Sequence, residues 1–324
     1  MKSEIRFGTD GWRGVIGRDF TFANVARVGV ALARHLLDRG RKELPPYQEW
    51  GVPWRPAEAG LIVGYDTRFL SRAFALELAQ AATSQGVPVW LTVEPVPTPA
   101  LSLAVVQQNR AGGVMITASH NPPEYNGVKF KPEYGGSATE DITQRIEALL
   151  PGEAPDLSAG DVPTTALQEE YLAKIKKEVD LALIRKAKVF PVVDAMYGSA
   201  QGYLRALLRE LRLPCLAVRH GHDPLFGGKK PEPIEENMGP LRAVIRGMRK
   251  RVRDRIIVGL VTDGDGDRAA AMDEHGQFLN THRTASLLLW HLFQHRGLRG
   301  PIVKSFALTD LVQKIADDVG VPCR

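Results

Sequence analysis

Short apolar runs alternate along the chain with segments in which apolar residues recur at helical spacing. Ile5-Arg-Phe7 leads into a glycine-rich loop. A helix follows, with Thr21 as its cap, Val25, Val28, Leu32 and Leu36 as its apolar stripe, and Gly40 just past its end. Residues 41–60 hold prolines at 45, 46, 53 and 56 and tryptophans at 50 and 54, a composition that prevents regular pairing and reads as an irregular insertion. The pattern then predicts a buried strand over 61–65, a helix over 72–84 and a strand over 87–93. Pro95, Pro97 and Pro99 make a stiff connection into a helix over 100–108. A strand over 113–117 runs straight into the most polar loop of the chain, and a helix over 139–150 completes the unit. Residues 151–165, rich in Pro, Gly, Asp and Ser, read as a linker. Beyond it the pattern predicts a helix over 167–179, a strand over 189–193 ending at Asp194, a helix over 200–211, and a strand over 256–261 that ends at Thr262 before an acidic loop. A last stretch reads as helix 283–294, strand 302–303 and helix 309–319, with Val321-Pro-Cys-Arg324 at the threshold of a further strand. This succession is that of an α/β chain of tandem units with largely parallel sheets.

Composition narrows the class. A length of 324 residues exceeds one compact core, and 44% hydrophobic with 24% charged residues excludes a globally disordered chain. No apolar run approaches the roughly 18 residues of a membrane span. The start, Met1-Lys-Ser-Glu-Ile-Arg-Phe-Gly8, lacks the apolar core of a signal peptide, so a cytoplasmic location with no membrane partner is expected. Two cysteines, Cys215 and Cys323, give no basis for a disulfide framework or a thiolate zinc site. Net charge is 42 − 37 = +5, and the one dense basic run is Arg246-Gly-Met-Arg-Lys-Arg-Val-Arg-Asp-Arg255. Leu241, Val244, Ile245, Met248 and Val252 form an apolar stripe through it, so the cations read as the solvated face of a helix. No aromatic residues interleave with them to stack bases, and no nucleic-acid partner is expected.

Three motifs carry candidate chemistry. Asp263-Gly-Asp-Gly-Asp-Arg268 places carboxylates at alternate positions, with intervening glycines that let all three turn toward one point. Oxygen-only donors at this density suit a hard divalent cation, Mg²⁺ before Ca²⁺, and the end of a predicted strand is where α/β sheets place ligands. An EF-hand loop would need glycine where Arg268 stands, and a haloacid-dehalogenase motif would need Thr or Val where Asp267 stands. Second, Thr117-Ala-Ser-His-Asn-Pro122 puts Ser119 directly after a buried strand. It is either an ordinary turn or the seat of a nucleophile, and no Gly-x-Ser-x-Gly elbow accompanies it. Third, Phe7-Gly-Thr-Asp-Gly-Trp-Arg-Gly14 exposes backbone N–H groups and offers Arg13, whose planar fork suits phosphate. A serine, an acidic metal loop and an arginine loop in one chain point to phosphoryl transfer.

At these residues the chain resembles the α-D-phosphohexomutase family, its phosphoglucomutase/phosphomannomutase branch in particular. The resemblance rests on the three motifs above together with Gly64-Tyr-Asp-Thr-Arg68, Pro97-Thr-Pro99 and Asn126-Gly-Val-Lys-Phe130, in that family's order. It implies tandem mixed-sheet α/β domains: domain I with the phosphoserine loop over 1–160, domain II with the metal loop over 161–277, and an incomplete domain III over 278–324. It further implies that Ser119 carries the phosphate between turnovers, that Asp263, Asp265 and Asp267 hold Mg²⁺ with that phosphoserine, and that Lys129 acts as general acid or base. Arg13 would steady the phosphoserine, His120 and Arg268 would line the site, and Lys304 would contact substrate. The implied activity is interconversion of hexose 1-phosphate and 6-phosphate, of glucose or mannose, through a hexose 1,6-bisphosphate that also serves as activator. In that family a Gly-Glu loop of domain III reads the sugar and a Ser/Thr-rich loop of domain IV grips the second phosphate. Neither occurs before Arg324. Apolar surface on the incomplete third domain would then favour self-association. Two other classes stay open on the sequence: a sugar-phosphate-binding or assembly subunit without catalysis, and a metal-dependent sugar phosphatase.

Overall fold

The computed structural model describes residues 5–8, 11–38, 51, 53–157 and 160–324. Thr9 and Asp10 of the Phe7–Gly14 motif, Gly40, and most of the proline-rich insertion lie outside the described residues. The fully buried runs become central strands. β2 (Leu61–Tyr65) and β4 (Gly112–Ile116) are buried at every position and pair in parallel, as expected of strands covered on both faces. Parallel neighbours need a helical crossover, and α2 (Ser71–Ser84) and α3 (Thr98–Gln107) supply it on either side of β3 (Val89–Thr92). Thr21 caps α1 (Phe22–Asp38), its Oγ1 accepting from the Asn24 N–H at 3.3 Å.

The first sheet has the order β1-β5-β4-β2-β3-β6, where β1 is Trp12–Val15, β5 is Tyr125–Pro132 and β6 is Thr164–Thr165. Its β1–β5–β4 half is antiparallel, so the sheet is mixed rather than largely parallel. Two strands arise where the sequence reads as loop. β1 lies within the glycine-rich motif and β5 within the polar segment after Ser119. The linker segment also ends in a strand, β6, which adds to the edge of this first sheet beside β3. α4 (Glu140–Ala148) packs beneath α1. One apolar cluster runs from Phe20, Val28 and Leu32 through Leu61, Phe74 and Leu78 to Val114 and Phe130.

The second sheet has the order β11-β10-β9-β7-β8, with β7 Val189–Asp194, β8 Leu216–Val218, β9 Ile256–Thr262, β10 Ala269–Met272 and β11 Phe278–Leu279. Here too the parallel centre gains an antiparallel edge, β9–β10–β11. α5 (Gln168–Glu178) and α7 (Tyr203–Glu210) contribute Leu172, Tyr203 and Leu207 to a cluster that also holds Ala100 of α3. A short helix, α6 (Leu181–Lys186), separates α5 from β7. α8 (Gly239–Arg249) covers the sheet with Leu241 and Ile245. The helix ends before the last cations of the basic run, since Arg251–Arg255 lie past its cap at Lys250. α7 starts three residues later than the periodicity indicates, because Gly202 holds φ +91° ahead of it.

In the last stretch, α9 (Thr281–Gln294) is capped by Asn280, and α10 (Leu311–Val319) follows. The expected strand at 302–303 is reduced to a single bridge between Ile302 and Cys323. Leu287, Leu288, Val303 and Phe306 are exposed there, Phe306 fully. Among the described residues no helix is long and apolar enough to cross a membrane.

Candidate active site

Two loops meet, one from the carboxyl end of β4 and one from the carboxyl end of β9, the ends at which α/β sheets gather ligands. The β4 loop turns sharply at Ser119, whose φ of +54° is left-handed, a conformation that costs an L-residue about 1–2 kcal/mol. Its N–H donates to the Thr117 Oγ1 at 2.8 Å. The Ser119 side chain is buried, and its hydroxyl donates to Asp263 Oδ2 at 3.3 Å and lies 3.4 Å from His120 Nδ1. The approach of the two loops requires Gly264, where an added Cβ would stand 2.6 Å from the Ser119 carbonyl oxygen.

The β9 loop brings one carboxylate oxygen each from Asp263, Asp265 and Asp267 within 4.8 Å of one another. Asp263 and Asp265 are fully buried and Asp267 lies at the surface. Burial, with Asp265 and Asp267 close by, pushes the Asp263 carboxyl up to about 8. Burial works the same way on Asp265, but the Lys129 ammonium and the Thr98 hydroxyl outweigh it and hold that carboxyl below its usual range. Asp265 Oδ2 accepts from Lys129 Nζ at 2.8 Å and from Thr98 Oγ1 at 2.7 Å, while its other oxygen is buried with no hydrogen-bond partner among the described residues. A buried, unpartnered carboxylate oxygen beside two more carboxylates is the donor set of a hard cation. The residues therefore fit Mg²⁺.

Lys129 is almost fully buried on β5, and it also donates to Asp267 Oδ2 at 3.1 Å. β5 carries it to this point because Gly127 lets the strand run between the Thr117 loop and β1; a Cβ there would stand 2.6 Å from both the Thr117 and Trp12 carbonyl oxygens. Arg13 pairs opposite Gly127 on β1 and donates from its guanidinium to Asn121 Oδ1 at 2.8 Å. His120 lies 3.9 Å from Glu232, and burial, followed by the Arg268 charge, pushes its imidazole down. Arg268, half exposed, lies 3.7 Å from the same Glu232 and 4.0 Å from Asp267.

The structure thus brings Ser119, His120, Lys129, Arg13, Arg268 and the three aspartates together. It does not bring Lys304 to them, since that ammonium turns to the Leu308 carbonyl at 3.4 Å and to Asp310 at 3.6 Å. Three contributors have no role in the sequence reading: Glu232, which it does not name, and Thr98 and above all Arg68, which it names only within motifs that carry the resemblance. All five N–H groups of the buried Arg68 guanidinium are engaged, one by Asp66 and four by the carbonyls of Ser119, Asn121, Pro122 and Tyr125. The signal was an Asp-x-Arg pair directly after a fully buried strand.

The family model for phosphoglucomutase/phosphomannomutase alpha/beta/alpha domain I matches residues 48–155, and the model for domain II matches residues 169–276. The chain belongs to the phosphoglucomutase/phosphomannomutase family. The Ser119 loop falls inside the domain I match and the aspartate loop inside the domain II match. A phosphoglucomutase/phosphomannomutase of Thermococcus kodakarensis is 31% identical over 314 residues, covering 96% of this chain and 64% of that protein. A phosphoglucosamine mutase of Synechococcus sp. (strain RCC307) is 30% identical over 290 residues, 88% of this chain and 56% of that protein. The chain thus spans less than two thirds of the length of these relatives. The crystal structure of a protein from Thermus thermophilus described as a phosphomannomutase superposes with a TM-score of 0.88 at 39% identity, covering 100% of this chain and 69% of that one. The mixed α/β sheets are those of a phosphohexomutase.

Proposed function

We propose that the chain carries the phosphoryl-transfer centre of a hexose-phosphate mutase, exchanging hexose 1-phosphate and 6-phosphate through a phosphoserine at Ser119 and a hexose 1,6-bisphosphate. The observation that carries this reading is the meeting of Ser119 Oγ with Asp263 at 3.3 Å, beside two further carboxylates and Lys129. Ser119 is a nucleophile in form, held in an unfavourable backbone conformation with its oxygen aimed at the acidic loop. Asp263, Asp265 and Asp267 would hold Mg²⁺ together with the phosphate on Ser119. Bound there, the ion supplies positive charge against the transferring phosphoryl oxygens.

In the forward half-reaction the bond from phosphorus to the Ser119 oxygen breaks and a bond from phosphorus to a sugar hydroxyl oxygen forms. The hydroxyl proton leaves to a base, and the Ser119 oxygen is left facing the acidic loop. The Lys129 ammonium, buried beside Asp265, would give a proton to that departing oxygen and, as the amine, take the hydroxyl proton, so that it ends the step as it began. Arg13, reaching Asn121, and His120 flank the phosphoserine, and Arg268 at the rim would meet the incoming anion. Reorientation of the bisphosphate and the reverse transfer complete the isomerisation. Lys304 enters as a substrate contact only if its segment moves away from Asp310.

The expected sugar is glucose or mannose. The relatives' names extend that range to glucosamine phosphate, so the substrate class is a hexose or hexosamine monophosphate. Incubation of the chain with a hexose 1-phosphate, Mg²⁺ and a trace of the bisphosphate, followed by ³¹P NMR, tests the reading. Growth of the 6-phosphate signal, absent in Ser119→Ala, is expected. Release of inorganic phosphate, or no change at all, contradicts it.

A further inference from the structure

The pair Asp66–Arg68 is the most buried ion pair among the described residues, with both side chains at 0% exposure, and it lies outside the reacting groups. Neither touches the acidic loop through a hydrogen bond. Arg68 instead turns both terminal nitrogens of its guanidinium to one segment. Its two terminal nitrogens donate to four carbonyls between Ser119 and Tyr125, at 2.7–3.0 Å, while its Nε is held by Asp66 Oδ2 at 3.1 Å. Asp66 is fixed in turn by the Arg68 N–H at 2.9 Å and the Ser71 hydroxyl at 2.7 Å, and Ser71 accepts from Asn126 Nδ2 at 2.9 Å. These bonds close a ring around the loop, from β2 through α2 to the start of β5.

That loop needs a restraint. Four carbonyls converge on one point, which without a cation would be mutual repulsion, and Ser119 sits at φ +54°. Five donors in a rigid planar fork satisfy such a cluster; a lysine ammonium offers three donors and no plane. The second unit closes the arrangement from outside, since the Phe226 ring lies 5.0 Å from the guanidinium carbon and the neighbouring Thr67 hydroxyl donates to the Tyr197 carbonyl at 2.8 Å.

We propose that Arg68 is the positioning residue of the phosphoryl-transfer centre, clamping the carbonyls of 119–125 so that Ser119 Oγ faces Asp263, with Phe226 of the second unit holding the clamp shut. This rests on the reading of Ser119 as the phosphate carrier. It assigns a role in transfer to a residue that meets neither substrate nor metal.

Two variants and two readouts test it. Hydrogen–deuterium exchange is measured on peptides spanning 119–125, and the rate of Ser119 phosphorylation is measured with glucose 1,6-bisphosphate and Mg²⁺. Mn²⁺ binding, followed by electron paramagnetic resonance, controls for the aspartate loop. Arg68→Lys is expected to speed exchange across 119–125 at least about tenfold and to slow phosphorylation about a hundredfold, with Mn²⁺ affinity within about threefold of the unsubstituted chain. Phe226→Leu leaves the buried ion pair in place. It is expected to move both readouts in the same direction by about threefold to tenfold. Unchanged exchange in 119–125 for a folded Arg68→Lys overturns the inference, as does a transfer rate equal to that of the unsubstituted chain. If Arg68→Lys does not fold, unchanged exchange and rate in Phe226→Leu overturn it. A chain that never accepts phosphate on Ser119 contradicts the functional reading instead, and the exchange comparison still decides whether Arg68 holds the loop.

Discussion

At the scale of single residues, the site is a set of charges that the fold keeps closer than water would allow. Asp263 shows the cost most plainly, because burial and its neighbours push its carboxyl from an ordinary 3.8 up to about 8. A carboxyl whose pKa rises on folding contributes stability that is full below its ordinary value and is lost as the pH climbs to the raised one. In the presence of a chelator, the melting temperature is therefore expected to fall between pH 3.8 and about pH 8 and to level off above. Asp263→Asn should flatten that slope and raise the melting temperature near pH 8 by on the order of 5 °C. Added Mg²⁺ should stabilise the original chain at pH 8 and leave the variant unmoved. Thermal melts across pH with and without Mg²⁺ check all three, and a flat profile in the original chain contradicts the charge assignment. The aspartates and Ser119 were legible in the sequence because their spacing and strand-end location are local features. Arg68 was not legible as a clamp. Four of its five bonds go to carbonyls more than 50 positions away, and no local pattern encodes them.

At the scale of elements, periodicity found every helix except the short α6 and found the fully buried strands, and it failed where the chemistry sits. β5 carries Lys129 and Lys131 at buried positions, so the alternation of Val128 and Phe130 with them spans only four residues and reads as polar loop, with nothing local to show that the lysine face is buried too. Those lysines are tolerated inside because they are paired, Lys129 with Asp265 and Asp267 and Lys131 with the Ser137 hydroxyl at 3.2 Å. β1 hides for a different reason. Gly14 dilutes its short run, and its partner β5 lies more than 100 residues along the chain. The junction of β1, β5 and the serine loop depends on Gly127, which leaves no room for a side chain. Gly127→Ala is expected to destabilise the fold by about 2 kcal/mol and to shift the Arg13 side chain from Asn121. Chemical denaturation measures the first effect. A loss under about 0.5 kcal/mol would show that the strands spread at no cost and that the close approach is not required.

At the scale of the whole molecule, neither unit holds a complete site. The first supplies Ser119, Lys129, Arg13 and Thr98, and the second supplies the three aspartates, Arg268 and Glu232. The bonds joining them run across the seam: Ser119 to Asp263, Thr98 and Lys129 to Asp265. The Thr98 N–H adds a further bond to the Asp265 carbonyl at 2.8 Å. Sequence order could place each motif on its strand end, but the convergence follows from how two mixed sheets dock, which is a long-range property. The most direct test of that convergence is phosphopeptide mapping of the chain after incubation with glucose 1,6-bisphosphate and Mg²⁺, beside Ser119→Ala. Phosphate on Ser119 alone, absent from the substituted chain and abolished by chelator, is the expected result. Phosphate elsewhere, or none on Ser119 while the chain is folded and binds Mg²⁺, would contradict the assignment of these two units as a working phosphoryl-transfer centre.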